Sequence, residues 1–299
     1  MIPEFLKKML EEQYGSKITN SIIEGYKNTR KVTLRVNTLK TNVKKVKQEL
    51  LLAGIKYKTV KWSKDVLIIE NVKELDIENL KLYKNGEIYL QSLSSMLPPI
   101  VLNPEEKEDI LDMCAAPGGK TTEMAALTNN KAHITACEMN KIRIEKLKYN
   151  IEKQGATSAF VMETDSRRLN NYFSFDKILL DSPCSGSGTL QIEDKNLEKY
   201  FTLKLIEKCK KTQLELFKKA IKVLKPGKEM VYSTCSILNE ENEEIVNRVL
   251  KDGNCEIVPI ECEGIEEIPT LPTKIKGTLC IAPNEIYEGF FIAKLRRLS

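Results

Sequence analysis

The chain reads as an α/β protein: a mostly parallel sheet with helices on both faces, preceded by a small α/β module. Three observations predict this. From residue 93 onward, short apolar runs alternate with helical patterns, which is the order that builds a parallel sheet covered on both sides. The last two apolar runs have no long crossover between them, so they are expected to pair antiparallel at the end of the sheet. Charge divides along the chain as well: residues 1–90 carry 18 Lys and Arg against 11 Asp and Glu, and the remainder carries 29 against 31.

Two helical patterns open the chain, at 3–13 and 19–28. KVTLRVN (31–37) alternates like a strand. Thr41 can cap a helix whose apolar positions Val43, Val46, Leu50 and Ala53 keep a helical period up to Gly54. YKTVKW (57–62), VLIIE (66–70) and EIYLQ (87–91) read as strands. Residues 1–92 are therefore assigned to a basic N-terminal helical and α/β module, and 93–299 to a larger unit. In that unit strands are expected at 109–113, 133–138, 159–163, 176–181 and 229–235. Helices are expected at 119–128, 140–154, 203–224 and 240–251, and the closing strand pair at 278–282 and 289–295. The stretch 240–267 holds ten acidic and two basic residues and reads as a solvated helix and loop.

Composition excludes several classes. With 41% hydrophobic and 30% charged residues, 14 Gly and 11 Pro, the 299-residue chain is neither collagen-like nor wholly disordered. No apolar run approaches the ~18 residues of a membrane span. The opening MIPEFLKKMLEEQ is charged throughout and has no apolar signal region, so a cytoplasmic location is expected. The net charge of +5 is concentrated as +7 in the first 90 residues, which points to a polyanionic partner. Since 39 of the 47 basic residues are Lys, a solvated lysine surface is the plainer alternative. Among eight cysteines no pair forms CxxC, and the single histidine, His133, has no cysteine at ligand spacing. No metal site is expected. In a reducing compartment most of these cysteines should be small buried apolar residues.

In open α/β sheets ligands bind beyond the carboxyl ends of the strands. The first strand of the larger unit runs into Asp112-Met113-Cys114-Ala115-Ala116-Pro117-Gly118-Gly119-Lys120-Thr121. A phosphate loop would need glycine where Cys114 stands, and Gly118-Gly119 does not match G-x-G-x-x-G. What survives is a small-residue turn that lets a ligand approach backbone amides, or else a purely structural turn. Glu138 follows Gly118 by twenty residues, an offset at which a carboxylate can accept both hydroxyls of a ribose, or cap the next helix. The next strands end near Asp165, in Asp181-Ser182-Pro183-Cys184, and in Tyr232-Ser233-Thr234-Cys235-Ser236. Together these ends describe a nucleoside-cofactor pocket with two thiols beside it. Such a set suits methylation of cytosine at carbon 5, a poor nucleophile until a thiolate adds at carbon 6. Asp181, protonated near ring nitrogen 3, would stabilise the charge pushed into the ring. Either thiol could be the nucleophile on these grounds.

These motifs resemble the Nop/Sun family of S-adenosylmethionine-dependent RNA cytosine-5 methyltransferases, over nearly the whole chain. Arg35-Val36-Asn37-Thr38, Gln91 to Pro98, Asp112 to Thr121, Asp181 to Gly186, Tyr232 to Ser236 and Gly289 to Ala293 carry the match. The resemblance implies a Rossmann-like class I methyltransferase sheet with an antiparallel last strand, and an RRM-like, RNA-binding N-terminal module. It implies S-adenosyl-L-methionine contacts on Cys114, Ala115, Ala116, Pro117, Gly118, Gly119, Lys120, Glu138, Asp165 and Asp181. It makes Cys235 the nucleophile and Cys184 the residue that assists product release, whereas DNA cytosine-5 enzymes use the Pro-Cys thiol. The implied partner is structured RNA, ribosomal RNA ahead of tRNA, with no membrane, no metal and no required oligomer. Non-catalytic RNA binding on this scaffold is the alternative class. An amino-group methyltransferase would carry Asn/Asp-Pro-Pro-aromatic where this chain has Asp-Ser-Pro-Cys. Three departures stand out: Ser182 for Ala, Cys280 where relatives often carry Arg, and no basic residue between Gly186 and Asp194. No added C-terminal RNA-binding domain is expected, so RNA contacts are expected from the basic module, the groove, and Arg167, Arg168, Arg296 and Arg297.

Overall fold

A computed structural model describes residues 2–299. Helix α1 (Glu4–Lys27) contains both opening helical patterns, joined at Gly15, where φ is +77° and ψ 162°. Such backbone is open to glycine and strained for other residues. Buried Leu6, Leu10, Ile22 and Tyr26 of α1 share one core with Phe217, Tyr232 and Phe291. By its packing α1 thus belongs to the larger body, although its position in the chain groups it with 1–92.

The module proper comprises β1 (Thr33–Val36), α2 (Val43–Leu52), β2 (Tyr57–Thr59), β3 (Val66–Ile69), α3 (Glu74–Glu78), α4 (Lys81–Lys84) and β4 (Ile88–Leu90). Its four strands pair antiparallel in the order β2-β3-β1-β4. Val46 and Leu50 of α2 pack on Leu34, Val36, Leu67 and Ile88. The cap of α2 is Asn42 rather than Thr41: the Asn42 side chain accepts a hydrogen bond from the Lys45 amide at 2.9 Å. The one-turn helices α3 and α4 are too short to show a period in the sequence.

Helix α5 (Leu93–Leu102) links module and body and contains Pro98 and Pro99. The sequence pattern gives no helix there. It is buried almost all round, so it shows no amphipathic stripe, and its prolines read as breakers. Pro99 leaves the Ser95 carbonyl without its helical donor, and Gln91 Nε2 donates to that carbonyl at 3.0 Å.

The body then follows as β5 (Asp109–Asp112), α6 (Gly119–Leu127), β6 (His133–Glu138), α7 (Lys141–Gln154), β7 (Ala159–Glu163) and β8 (Phe175–Asp181). It continues with α8 (Leu197–Tyr200), α9 (Leu203–Val223), β9 (Leu224–Thr234), α10 (Glu243–Leu250), β10 (Cys255–Val258), β11 (Thr270–Leu271), β12 (Leu279–Ile281) and β13 (Phe290–Arg297). The sheet runs β11-β12-β13-β9-β8-β5-β6-β7, with β10 also paired to β13. Strands β7, β6, β5, β8 and β9 are mutually parallel; β13 is antiparallel to β9, and β12 and β13 form the antiparallel closing pair expected at 278–282 and 289–295. Strand order departs in opposite directions from β5, which makes its carboxyl end the switch point where a ligand crevice forms. Two apolar cores, one around Tyr232 and Phe217 and one around Met96, Met124 and Ile292, cover the sheet. The short edge strands β10 and β11 carried no alternation long enough to read. The acidic stretch is not wholly solvated: Glu241 is fully buried and Glu243 nearly so, the latter accepting from the Ile275 amide at 2.7 Å. Among the described residues, no helix is long and apolar enough to cross a membrane, and no cluster of three His, Cys, Asp or Glu could hold a metal.

Candidate active site

The loop after β5 is held from both sides. The Ala115 amide donates to the Cys137 carbonyl at 2.9 Å and the Gly118 amide to Ala115 at 2.8 Å. Ala116-Pro117 is cis, and Gly118, at φ +107°, opens α6. Asp112 precedes the loop and is buried. Its Oδ2 accepts from Thr121 Oγ1 at 2.7 Å, while its Oδ1 is buried without a partner. Burial pushes the Asp112 carboxyl up to about 6. Two cavities flank the loop. One of about 150 Å³ is lined by Gln91, Ser95, Asp112, Ala116, Lys120 and Asp181. The other, about 90 Å³, is lined by Cys114, Glu138, Asp165, Arg167 and Pro183.

Glu138 ends β6 and is buried. Its Oε1 accepts from the Met139 and Asn140 amides, both at 2.9 Å, and its Oε2 faces Arg143 at 3.1 Å. The cap of α7 is Asn140, not Glu138. Asp165 accepts from the Arg167 amide and is clasped by the Arg167 guanidinium at 2.7 Å. That hydrogen bonding holds the Asp165 carboxyl below its ordinary value.

The two candidate thiols meet because β8 and β9 are neighbours in register. Asp181 lies opposite Ser233, so the next residues of both strands leave the sheet side by side. Cys184 Sγ and Cys235 Sγ are 3.0 Å apart, and both cysteines are free. Contact with Cys235, with burial added, pushes the Cys184 thiol well above its ordinary value. Asp181 accepts from Ser233 Oγ at 2.8 Å and pairs with Lys120 Nζ at 2.7 Å. Burial opposes the Lys120 ammonium, but Asp181 and Asp112 outweigh it and raise its pKa. Asp181 is therefore one half of an ion pair, whereas the sequence reading has it protonated beside ring nitrogen 3.

One buried carboxylate ties both thiol loops together. Glu241 Oε1 accepts from the Ser185 amide at 2.7 Å and from Gln213 Nε2 at 3.2 Å. Its Oε2 accepts from Ser185 Oγ at 2.5 Å and Ser236 Oγ at 2.6 Å. Asn242 donates to the Ser236 carbonyl at 2.8 Å. From α1, Gln13 and Tyr14 both donate to the Ile237 carbonyl, at 3.0 and 2.7 Å. The sequence did not single out Asp112, Gln213 or Glu241 for the site. Glu241 was hidden in an acid-rich run, and its only signal was its place just after the Cys235 segment.

The residues singled out in the sequence fall close together: Cys114 to Pro117, Gly119, Lys120 and Asp181 line the larger cavity, Cys114, Glu138 and Asp165 line the smaller one, and Cys184 and Cys235 meet on the loops just beyond Asp181 and Ser233. Three of the four arginines expected to touch RNA are otherwise engaged. Arg167 pairs with Asp165 and Glu215, Arg296 with Glu229 and Glu256, and Arg297 binds the Lys222 and Leu224 carbonyls. Arg168 is exposed. Cys280 is buried in the core beside Tyr14.

The family described as 16S rRNA methyltransferase RsmB/F matches residues 99–296, and its ferredoxin-like domain matches residues 2–76. A 28S rRNA (cytosine-C(5))-methyltransferase of Mus musculus is 35% identical over 99% of this chain and 39% of its own length. Ribosomal RNA small subunit methyltransferase F of Vibrio campbellii is 35% identical over 89% of this chain and 57% of its own. The chain thus spans about half the length of these curated relatives. The crystal structure of NSun6 from Pyrococcus horikoshii with SFG superposes with a TM-score of 0.88 at 25% identity, covering 100% of this chain and 99% of that one. With the family matched across the sheet, the crevice and both cysteine loops, the chain belongs to the RsmB/F methyltransferase family.

Proposed function

We propose that the protein transfers a methyl group from S-adenosyl-L-methionine to carbon 5 of a cytosine in structured RNA, ribosomal RNA by preference. The observation that carries this reading is the pair of thiols 3.0 Å apart beside the Asp181–Lys120 ion pair, on adjoining strand ends next to the small-residue loop. The relatives' printed names support ribosomal RNA as the substrate class.

The residues present fit the cofactor. Asp112 Oδ1 is a buried acceptor without a donor, suited to a cationic amine, and cavities lie on both faces of the loop. Asp112, the loop Cys114–Lys120, Glu138 and Asp165 would hold the cofactor. Glu138 would take the ribose and Asp165 a base edge. Bound, S-adenosyl-L-methionine supplies an electrophilic sulfonium methyl.

The chain's own groups then have distinct tasks. Cys235 Sγ, as thiolate, adds to carbon 6 of the cytosine, forming a C–S bond and making carbon 5 enamine-like. The Asp181–Lys120 pair meets the polar edge of the ring and offsets the charge pushed into it. After methylation the carbon-5 proton passes to a solvent water, the C5–H electron pair re-forms the C5=C6 double bond, and the C–S bond breaks, its electron pair returning to Cys235. Cys184, whose raised pKa keeps it a thiol, assists this release. The target base must leave its stack to reach Cys235. The basic α/β module that follows α1 captures the polyanion, and phosphate contacts there position RNA without reading its sequence.

The test is methyl transfer from labelled S-adenosyl-L-methionine to ribosomal RNA, with bisulfite mapping of the product. A bisulfite-resistant cytosine that depends on Cys235 supports the reading. Methyl incorporation at a nitrogen instead of carbon 5 overturns it.

A further inference from the structure

A second, larger cleft of about 390 Å³ lies between the module and the body, a volume within the range of ligand sites. Its lining includes Thr29, Arg30, Lys31, Ser92, Gln191 and Glu288. Leu90 and Gln91 line both this cleft and the 150 Å³ cavity beside Asp181, so the two adjoin. The opposite wall reaches the cysteine loops: the Arg30 guanidinium faces the Thr189 and Gly188 carbonyls at 3.4 and 3.5 Å, and the Gly188 amide donates to the Cys235 carbonyl.

Arg30 differs from the arginines around it. Arg35 donates to Thr122 Oγ1 at 2.6 Å, Arg143 to the Ala116 carbonyl at 2.6 Å, and Arg167 clasps Asp165 at 2.7 Å. Arg30 has a buried Nε with no partner, long contacts to two carbonyls, and Glu288 no closer than 3.7 Å. A charge-assisted hydrogen bond would be about 2.7–2.9 Å. Among the described residues, the side chains of Lys31, Thr29, Ser92 and Gln191 make no hydrogen bond or ion pair. The cleft therefore holds a cation and several polar groups with bonding capacity unspent. Two carboxylates also line it, Glu288 and the exposed Glu74. Such a mixed wall suits a nucleotide, whose ribose hydroxyl and base amines donate while its phosphate accepts, better than an inorganic anion.

Resting on the RNA methylation proposed above, we propose that this cleft is the subsite for the nucleotide adjacent to the target cytosine, with its phosphate on Arg30 and Lys31. Because Arg30 also touches the loop behind Cys235, a nucleotide seated there fixes the RNA strand while the neighbouring base enters the crevice.

The experiment compares the full-length protein with Arg30→Ala, Arg30→Lys and Lys31→Ala, using small-subunit ribosomal RNA transcribed in vitro. RNA affinity by filter binding is read alongside KM and kcat for methyl transfer. Arg30→Ala should raise Kd and KM for RNA about tenfold, leave kcat within about twofold, and reduce the salt slope of binding by about one. Arg30→Lys should recover most of that loss, and Lys31→Ala should raise KM about threefold. A fall in kcat with unchanged RNA affinity would make Arg30 a mere support of the 186–189 loop and overturn the subsite. Unchanged Kd, KM and kcat would overturn it as well. If RNA is bound but no methyl is transferred, the proposed reaction fails, and the Arg30→Ala effect on Kd still decides the subsite.

Discussion

The loops after β8 and β9 and the outer face of α2 treat polar groups in opposite ways. At the loops, Glu241, Ser185, Ser187, Ser236 and Asn242 are buried and bonded to one another. On α2, Leu51 and Leu52 are largely exposed, Lys44 and Lys47 border a wide open groove, and the close ion pair is Lys45 with Glu87 at 2.6 Å. The first region spends buried hydrogen bonds on fixing two sulfur atoms. A buried polar network is costly unless complete, and complete it leaves little freedom. The second region offers charge at low positional cost, which suffices for phosphates. Covalent chemistry depends on placement to within about an ångström; capture of a polyanion does not.

The largest expected effect breaks the first region. Cys235→Ala should lower methyl transfer by at least about 10³-fold with calorimetric cofactor affinity unchanged. Cys184→Ala should instead leave a covalent RNA–protein adduct that survives a denaturing gel. If the adduct forms without Cys235 and needs Cys184, the two roles are exchanged. Glu241→Gln comes next. The amide turns an N–H toward donors that now find an acceptor, so both loops lose register. We expect kcat to fall about 10–100-fold with KM for RNA unchanged, read by steady-state kinetics on protein whose circular dichroism matches wild type.

A smaller effect sharpens the cofactor side. Burial raises Asp112 above the ordinary carboxyl value, to about 6, so it is charged above that pH and protonated below it. In the folded protein protonation is thereby favoured, and the charge that would meet the cofactor's ammonium is lost as pH falls through 6. Cofactor affinity should drop about tenfold between pH 7 and pH 5, and Asp112→Asn should flatten the profile in titration calorimetry. The smallest effect belongs to the module. Lys44→Glu with Lys47→Glu should weaken RNA binding about three- to tenfold and lower the salt slope by about two. An unchanged slope would return these lysines to solvated surface.

Much of the fold was legible. The strands at 133–138 and 159–163 and the helix starting near 203 lie where alternation and period put them, because each has one consistent hydrophobic pattern. Helix α5 was not legible, since a buried helix with two prolines has neither stripe nor propensity. The cap at Asn42 was displaced by one residue, since Thr41 and Asn42 are both capping types. In the site, the cysteines and strand-end acids stood out through local motifs. Glu241 did not, because a carboxylate amid nine other acids looks solvated until its donors, Ser185 and Gln213, are brought to it from 56 and 28 residues away.

By itself, the sequence determined the class of chemistry: small residues after a strand, acids at successive strand ends, and two cysteines each placed just beyond one. Those are local facts, written in adjacent residues. Tertiary structure alone decided which groups are free to act. The register of β8 on β9 sets the sulfurs at 3.0 Å, Lys120 claims Asp181, and Arg167 and Arg296 are held by carboxylates at 2.7–2.9 Å while Arg30 faces Glu288 only at 3.7 Å. Partnership in space depends on strand pairing and burial across long separations, and no local spacing encodes it.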